Sequence, residues 1–340
     1  MKISLHYSLQ VAEGERTQQV MTDGLEDIAW ADQNGFSAVV FAEHHFMEDG
    51  WIPRPMIMAA SAAAVTKRIR VGTDITLIAL HHPVAIAEEA AVIDNLSGGR
   101  FILGVGLGWM PNEYAGFGVP YKQRVAIYER SIGHVRRLLA GELVSDTTGH
   151  HRFENARIRP LPVNPTGVPL WMGGVKDIAL PRIARLADAW VMWPGATLGE
   201  LVRQRKLFLE LRAAAGLPPP AEQPFRREAF VAATDERAWT LYADGLRHEY
   251  GHVYKSLHPS YPANDSIDNL RRWGENMFVV GSPETVAAQL AQYEDELGAT
   301  ECMVRCQLPT VSRDAVREAL RGFGEVIRIL QRRKDRPTAG

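Results

Sequence analysis

Two histidine pairs follow apolar runs of strand length: His44-His45, within Ala42-Glu43-His44-His45-Phe46, and His81-His82, just before Pro83. Imidazole titrates near pH ~6.5, so a histidine at a strand end can give or take a proton at neutral pH. Adjacent residues of an extended chain point to opposite sides. One of His44 and His45 should therefore face a site and the other the packing behind it. Four histidines invite a metal reading. However, neither His-x-His nor His-Glu-x-x-His occurs, so no metal is expected. His81 and His82 read as the lead-in turn of a helix that begins at Pro83.

Glycines mark two further places. Gly104-Val105-Gly106-Leu107-Gly108-Trp109 lacks the G-x-G-x-x-G spacing of a dinucleotide fold. Glycine also permits close backbone approach, so Gly106 and Gly108 suit either a flat ring or tight packing at a barrel corner. In Trp171-Met172-Gly173-Gly174-Val175-Lys176, a strand turns into a helix. Unshielded N–H groups there can hold a phosphate, with Lys176 adding charge. Arg124 opens a later helix and can reach an anion. Trp109, Trp193, Tyr250, Tyr254 and Tyr261 are candidates for an apolar lining, or for ordinary core.

Apolar runs alternate with helical segments. Strands are expected at 3–9, 36–42, 69–79, 101–107, 169–172, 188–193, 228–233 and 300–307. Helices are expected at 17–34, 55–66, 83–96, 124–139, 179–187, 198–215, 283–297 and 312–331. Ser282-Pro283-Glu284 is a strong helix start. The strand runs are continuously apolar, as when both faces are covered. Eight strands, most followed by a helix, predict an α/β protein, a (β/α)8 TIM barrel with insertions in its βα loops. An open doubly wound sheet is the alternative.

One domain should span 1–330, with an irregular or hairpin insertion at 145–168, a lid at 251–280 and a polar tail at 331–340. In such a barrel the chemistry sits at strand C-termini. That gathers Tyr7, Glu43, His44, His45, Thr73, Asp74, Gly104 to Gly108, Gly173, Gly174, Trp193, Thr234 and Gln307. Tyr7 and Trp193 from this set, with Trp109 beside it, are expected to contact substrate.

The 340 residues carry a formal charge of −2, which excludes a globally basic nucleic-acid binder. No apolar run approaches the ~20 residues of a membrane span, and the N-terminal run is too short for a secretory signal. Cys302 and Cys306 cannot build a disulfide scaffold. The expectation is a cytoplasmic protein.

Taken together, three stretches resemble the bacterial luciferase-like, flavin-dependent monooxygenase family: AEHHF at 42–46, RIRVGTDITLIALHHPVAIAEEAAVIDNLSGGRFILGVGLGW at 68–109 with Glu113 beyond it, and PLWMGG at 169–174 followed by RIARLADAW. The resemblance runs from Met1 to about Leu330. It implies a flavin at the C-terminal mouth, His44 as active-site histidine, and Thr73, Asp74 and Ile75 along the isoalloxazine, where the family often has a cis non-proline bond. It also implies Gly106 and Gly108 near the ring, and Gly173, Gly174, Val175 and Lys176 around the phosphate with Arg124 assisting. Leu107 stands where the luciferase has a phosphate-binding arginine, and Val175 where many relatives have Ser or Thr.

FMN-type members take reduced FMN from a separate reductase and use O2. Deazaflavin members transfer hydride with coenzyme F420. The doubled histidine resembles the FMN type, so the expected function is oxygenation of a small, apolar substrate by a homodimer. The alternatives are F420-dependent hydride transfer, a non-catalytic flavin-binding relative, and a metal-dependent hydrolase.

Overall fold

The structure is a computed structural model, and it describes residues 1–335. Parallel strands close into a barrel around which helices pack. The first half of the chain contains β1 (Lys2–Tyr7), α1 (Thr17–Ala31), β2 (Ala38–Phe41), α2 (Pro55–Val65), β3 (Arg70–Thr73), α3 (Pro83–Ser97) and β4 (Phe101–Val105). After these come α4 (Pro111–Gly116), α5 (Arg124–Leu139), and a hairpin of β5 (Val144–Asp146) and β6 (Phe153–Ala156). The barrel resumes with β7 (Leu170–Gly174), α6 (Leu180–Leu186), β8 (Ala189–Met192), α7 (Leu198–Ala214), β9 (Pro224–Val231) and α8 (Asp235–His248). The chain continues through α9 (Ile267–Trp273), β10 (Val279–Gly281), α10 (Pro283–Leu297), β11 (Glu301–Arg305) and α11 (Arg313–Asp335).

The strand order is β1-β2-β3-β4-β7-β8-β9-β11, and β11 returns to β1 with Leu5 opposite Val304. The predicted barrel is therefore present. A ninth strand, β10, pairs with the C-terminal half of β9, while β8 meets β9 only at Phe225. Three residues are too few for a periodic signal, so β10 was not legible in the sequence.

Alternation along each strand separates two apolar layers. Val40, Ile102, Trp171, Ala189, Val191 and Met303 form a compact cluster inside the barrel, distinct from the larger one between strands and helices. Helix ends follow local chemistry. Ser282 accepts from the Thr285 N–H at 3.3 Å, and Gly98 closes α3 at φ 69°.

Several boundaries differ from expectation. The first helix stops at Ala31 rather than Asn34. The third strand ends at Thr73, after which the backbone crosses towards β4: Thr76 N–H donates to Gly104 O and Gly106 N–H to Thr76 O. The seventh barrel strand begins at Pro224, four residues before Glu228. Its charged residues Arg226, Arg227 and Glu228 broke the apolar run, yet all three are buried. The 145–168 insertion holds the β5–β6 hairpin. Residues 331–335, polar and charged, continue α11 and so are helix rather than tail; residues 336–340 lie outside the described part. No helix among the described residues is long and apolar enough to cross a membrane.

Candidate active site

β2 ends at Phe41, and the next residues fix the mouth. Glu43 is buried and collects three donors: His45 Nε2–H at 2.7 Å, His81 Nε2–H at 2.6 Å and the Leu77 N–H at 2.9 Å. Arg54 donates to His81 Nδ1 at 3.1 Å. Arginine has no acceptor, so the proton of neutral His81 sits on Nε2, facing Glu43. Burial alone would raise the Glu43 carboxyl, but the hydrogen bonds from His45, His81 and Leu77 overcome it and hold it at about 2. This ties the β2 loop to the segment after β3. Glu43, His45 and His81 are the one metal-like cluster among the described residues. Their ligand atoms are already joined in short donor–acceptor pairs. His44 and His82 stand apart from it, with His82 capping α3 through an acceptor bond from Val84 N–H.

His44 turns the other way. Its Nδ1 lies 2.9 Å from Glu113 Oε1, and that same oxygen accepts the His45 N–H at 2.9 Å. A carboxylate only accepts, so Nδ1 carries the hydrogen and, in neutral His44, Nε2 keeps its lone pair. Glu113 comes from α4, which Pro111 starts, and it is fully buried. Its role was not legible: nothing in spacing links position 113 to position 44. Trp51 packs edge-on against His44 at 4.6 Å, and Trp109 at 6.4 Å. Tyr254 approaches Trp51 at 6.2 Å and Trp109 at 6.4 Å. Trp51 Nε1 and Glu113 Oε2 are buried without partners.

The expected cofactor residues form the adjoining floor. The Asp74–Ile75 peptide is cis. A Cβ on Gly106 would lie 1.6 Å from Ile75 Cδ1, and one on Gly173 3.3 Å from it. Gly106 is therefore glycine because the Ile75 side chain occupies that space. The result is an apolar platform spanning the ends of β3, β4 and β7. Gly108 needs its φ of +73°. Thr73 Oγ1 is tied to Gly104, donating to its carbonyl at 2.7 Å.

At the other end, Gly174 is glycine because of packing: a Cβ would strike Ile183 of α6 at 2.4 Å. The N–H groups of Val175 and Lys176 donate to no described residue, and both residues are exposed. A single 3-10 turn, Asp177–Ala179, leads from β7 into α6, the helix expected at 179–187. The Arg124 guanidinium lies over the Tyr121 ring at 4.0 Å and donates to Tyr121 O at 2.9 Å.

Two substrate expectations change. Tyr7 is inward-directed on the sequence reading, but β1 directs Ser4, His6 and Ser8 into the barrel and Tyr7 outward. There it stacks on Phe41 at 6.4 Å and feels Asp27 of α1 and Arg313 of α11. Trp193 is half-buried and stacks on His258 at 5.0 Å, so it meets the 251–280 segment. Trp109 stays at the mouth beside His44.

Inside the barrel lies a polar group the sequence reading did not assemble. His6 Nε2 is 3.0 Å from Asp74 O and 3.4 Å from Asp74 Oδ2, and Arg226 Nη1 donates to it at 3.1 Å. Burial pushes the Asp74 carboxyl up to about 6 against the pull of Arg226. Burial, then Arg226 and Arg305, hold His6 well below its ordinary value. Arg305, on the neighbouring β11 and two residues nearer the strand ends than Arg226, is fully buried and donates to Glu249 at 2.8 and 3.0 Å and to Ser8 at 3.0 Å.

A closed parallel barrel thus carries a buried histidine–glutamate pair and an apolar shelf at its C-terminal mouth. The sequence profile described as luciferase-like monooxygenase matches residues 1–301, and the chain belongs to that family. It is 26% identical over 318 residues to 4-hydroxyprotoasukamycin monooxygenase of Streptomyces nodosus subsp. asukaensis, covering 89% of this chain and 85% of that one. The fold matches the oxygenating constituent of 3,6-diketocamphane monooxygenase of Pseudomonas putida, solved with FMN, at a TM-score of 0.80, 18% identity and 96% coverage of both chains. It also matches an F420-dependent secondary alcohol dehydrogenase holding an F420–acetone adduct, at 0.77 and 19%, covering 97% and 98%.

Proposed function

We propose that the chain is a flavin-dependent monooxygenase that takes reduced FMN from a separate reductase and uses O2 to oxygenate a small organic substrate, working as a homodimer. The His44–Glu113 pair beside the Ile75 platform carries this reading. Ile75, Gly106, Gly108 and Gly173 fit a planar ring lying on an apolar shelf. The free N–H groups of Val175 and Lys176, with the Lys176 charge, fit a phosphate, and Arg124 must leave Tyr121 to join them. Bound reduced flavin would supply two electrons and the activation of O2. Glu113 holds His44 so that Nε2 faces the mouth, where it can take or return a proton. Trp51, Trp109 and Tyr254 shut out water around that nitrogen.

The test titrates reduced FMN and reduced F420 separately, with oxygen uptake as the readout. FMN-dependent uptake supports the proposal. Binding and turnover of F420 alone replace it with hydride transfer. His44→Ala is expected to reduce oxygenation far more than FMN affinity, and equal losses refute the role given to His44.

A further inference from the structure

Arg226 is the cation in the barrel interior with the fewest partners. A guanidinium has five N–H donors. Arg305, fully buried, places both terminal nitrogens on Glu249, Ser8, Gln10 and Glu228 and leaves only Nε without a partner. Arg226 spends one, on His6. Its Nη2 is 3.8 Å from Glu228, beyond hydrogen-bond reach, and its Nε has no partner. Glu228 already accepts the Tyr250 hydroxyl at 2.7 Å. No contact within 4.0 Å joins Arg226 to Asp74. Exposure also differs: Arg305 and Glu228 have none, whereas Arg226 keeps 8% and Asp74 6%. Arg226 starts level with Met303, two residues deeper than Glu228 and Arg305, but its guanidinium reaches His6 beside Asp74, the residue that joins the end of β3 to Ile75. Arg226 projects from β9, which stands across the barrel from β3 and so across from the Ile75 platform. Its charge acts on Tyr254, a wall of the aromatic enclosure beside His44.

We infer that Arg226 is a specificity-determining residue that binds a neutral carbonyl oxygen of the substrate, so that the enzyme selects a ketone-type compound over a hydrocarbon of the same shape. This rests on the flavin-dependent reading of the site. A buried guanidinium short of acceptors is costly, and a substrate oxygen supplies the missing one. The oxygen is neutral because three carboxyl groups, Asp74, Glu228 and Glu249, already face two guanidiniums in the barrel. A further full negative charge meets an unfavourable field. The aromatic walls suit the rest of the molecule. The substrate is therefore not wholly apolar: it has an apolar body and one oriented acceptor.

The experiment is calorimetric titration of the full chain with acetophenone, ethylbenzene and benzoate, with and without oxidised FMN. A hydrogen bond to a charged donor is worth ~1.5–3 kcal/mol, so acetophenone is expected to bind at least about tenfold tighter than ethylbenzene and tighter than benzoate. Arg226→Met should bring the acetophenone and ethylbenzene affinities within about twofold to threefold while FMN affinity changes by less than about twofold. Arg226→Lys should restore part of the preference, which a merely structural role would not do. Equal affinities in the unaltered protein, a preference that survives Arg226→Met, tighter binding of benzoate, or no acetophenone binding at its solubility limit overturns the inference. A loss of FMN affinity in Arg226→Met assigns the residue to the cofactor and also overturns it. Failure of FMN to bind the unaltered protein instead refutes the flavin reading, while the ketone-to-hydrocarbon ratio still reports on Arg226.

Discussion

Replacing Glu113 by glutamine isolates what the carboxylate does for His44. One oxygen, Oε1, accepts both His44 Nδ1–H and the His45 N–H at 2.9 Å. The amide keeps the size, and its oxygen can take both donors in the place of Oε1, but it carries no charge, and its NH2 group falls where Oε2 lies buried without a partner. Two charge-assisted bonds become neutral ones, a loss of ~1.5–3 kcal/mol in all. If that energy holds the ring in its working tautomer and direction, the competent fraction falls about 10- to 150-fold. A larger drop is possible in kind, since an amide in the orienting position of a serine-protease triad costs ~10⁴ in kcat.

The assay is single-turnover oxygenation with chemically reduced FMN, run beside FMN affinity by fluorescence and a pH–rate profile. Glu113→Gln should lower the oxygenation rate in that range, leave FMN affinity within about twofold, and displace the profile of the His44-dependent step. An unaltered rate, or an FMN affinity that falls in proportion to the rate, would refute the positioning role of Glu113.

Three further outcomes follow from the geometry. Asp74 titrates at about 6 in the fold and 3.8 when free. The unfolded chain releases that proton first, so stability falls as pH rises from about 4 to about 6. The cost above that is ~3 kcal/mol at most. Asp74→Asn should remove it, raising denaturant stability at pH 8 and not at pH 4; equal changes at both would contradict the assignment. Tyr7→Phe removes an outward hydroxyl with no partner, so stability should shift by under ~1 kcal/mol and substrate KM should stay constant; a raised KM would return Tyr7 to the site. Because Glu43, His45 and His81 already satisfy one another, dialysis against a chelator should leave melting temperature and turnover unchanged, whereas a loss restored by zinc would make them ligands.

Much of the architecture is carried by local pattern. Apolar runs marked all eight barrel strands, Ser282-Pro283-Glu284 marked α10, and the stretch from Arg68 to Trp109 marked the family that residues 1–301 match. Position at strand ends also selected His44, Asp74 and Gly106, because in a parallel barrel every strand terminus opens on one rim, and the family resemblance added Ile75. What a side chain meets is a different matter. Whether Tyr7 faces the interior or α1 depends on the phase of alternation against the pleat, and one residue reverses it. Glu113 and His44 are 69 positions apart, and only the docking of α4 over the mouth joins them. Gly106 looked like a place for a ring, yet the tertiary structure fills it with Ile75. Arg226 and Arg227 even hid the first half of their own strand, since a buried charge reads as surface until its partners on other strands are in place. Periodicity, which is local, was thus determined by the sequence alone; pairing of polar groups across the barrel was decided by closure of the sheet, which brings together atoms that no spacing connects.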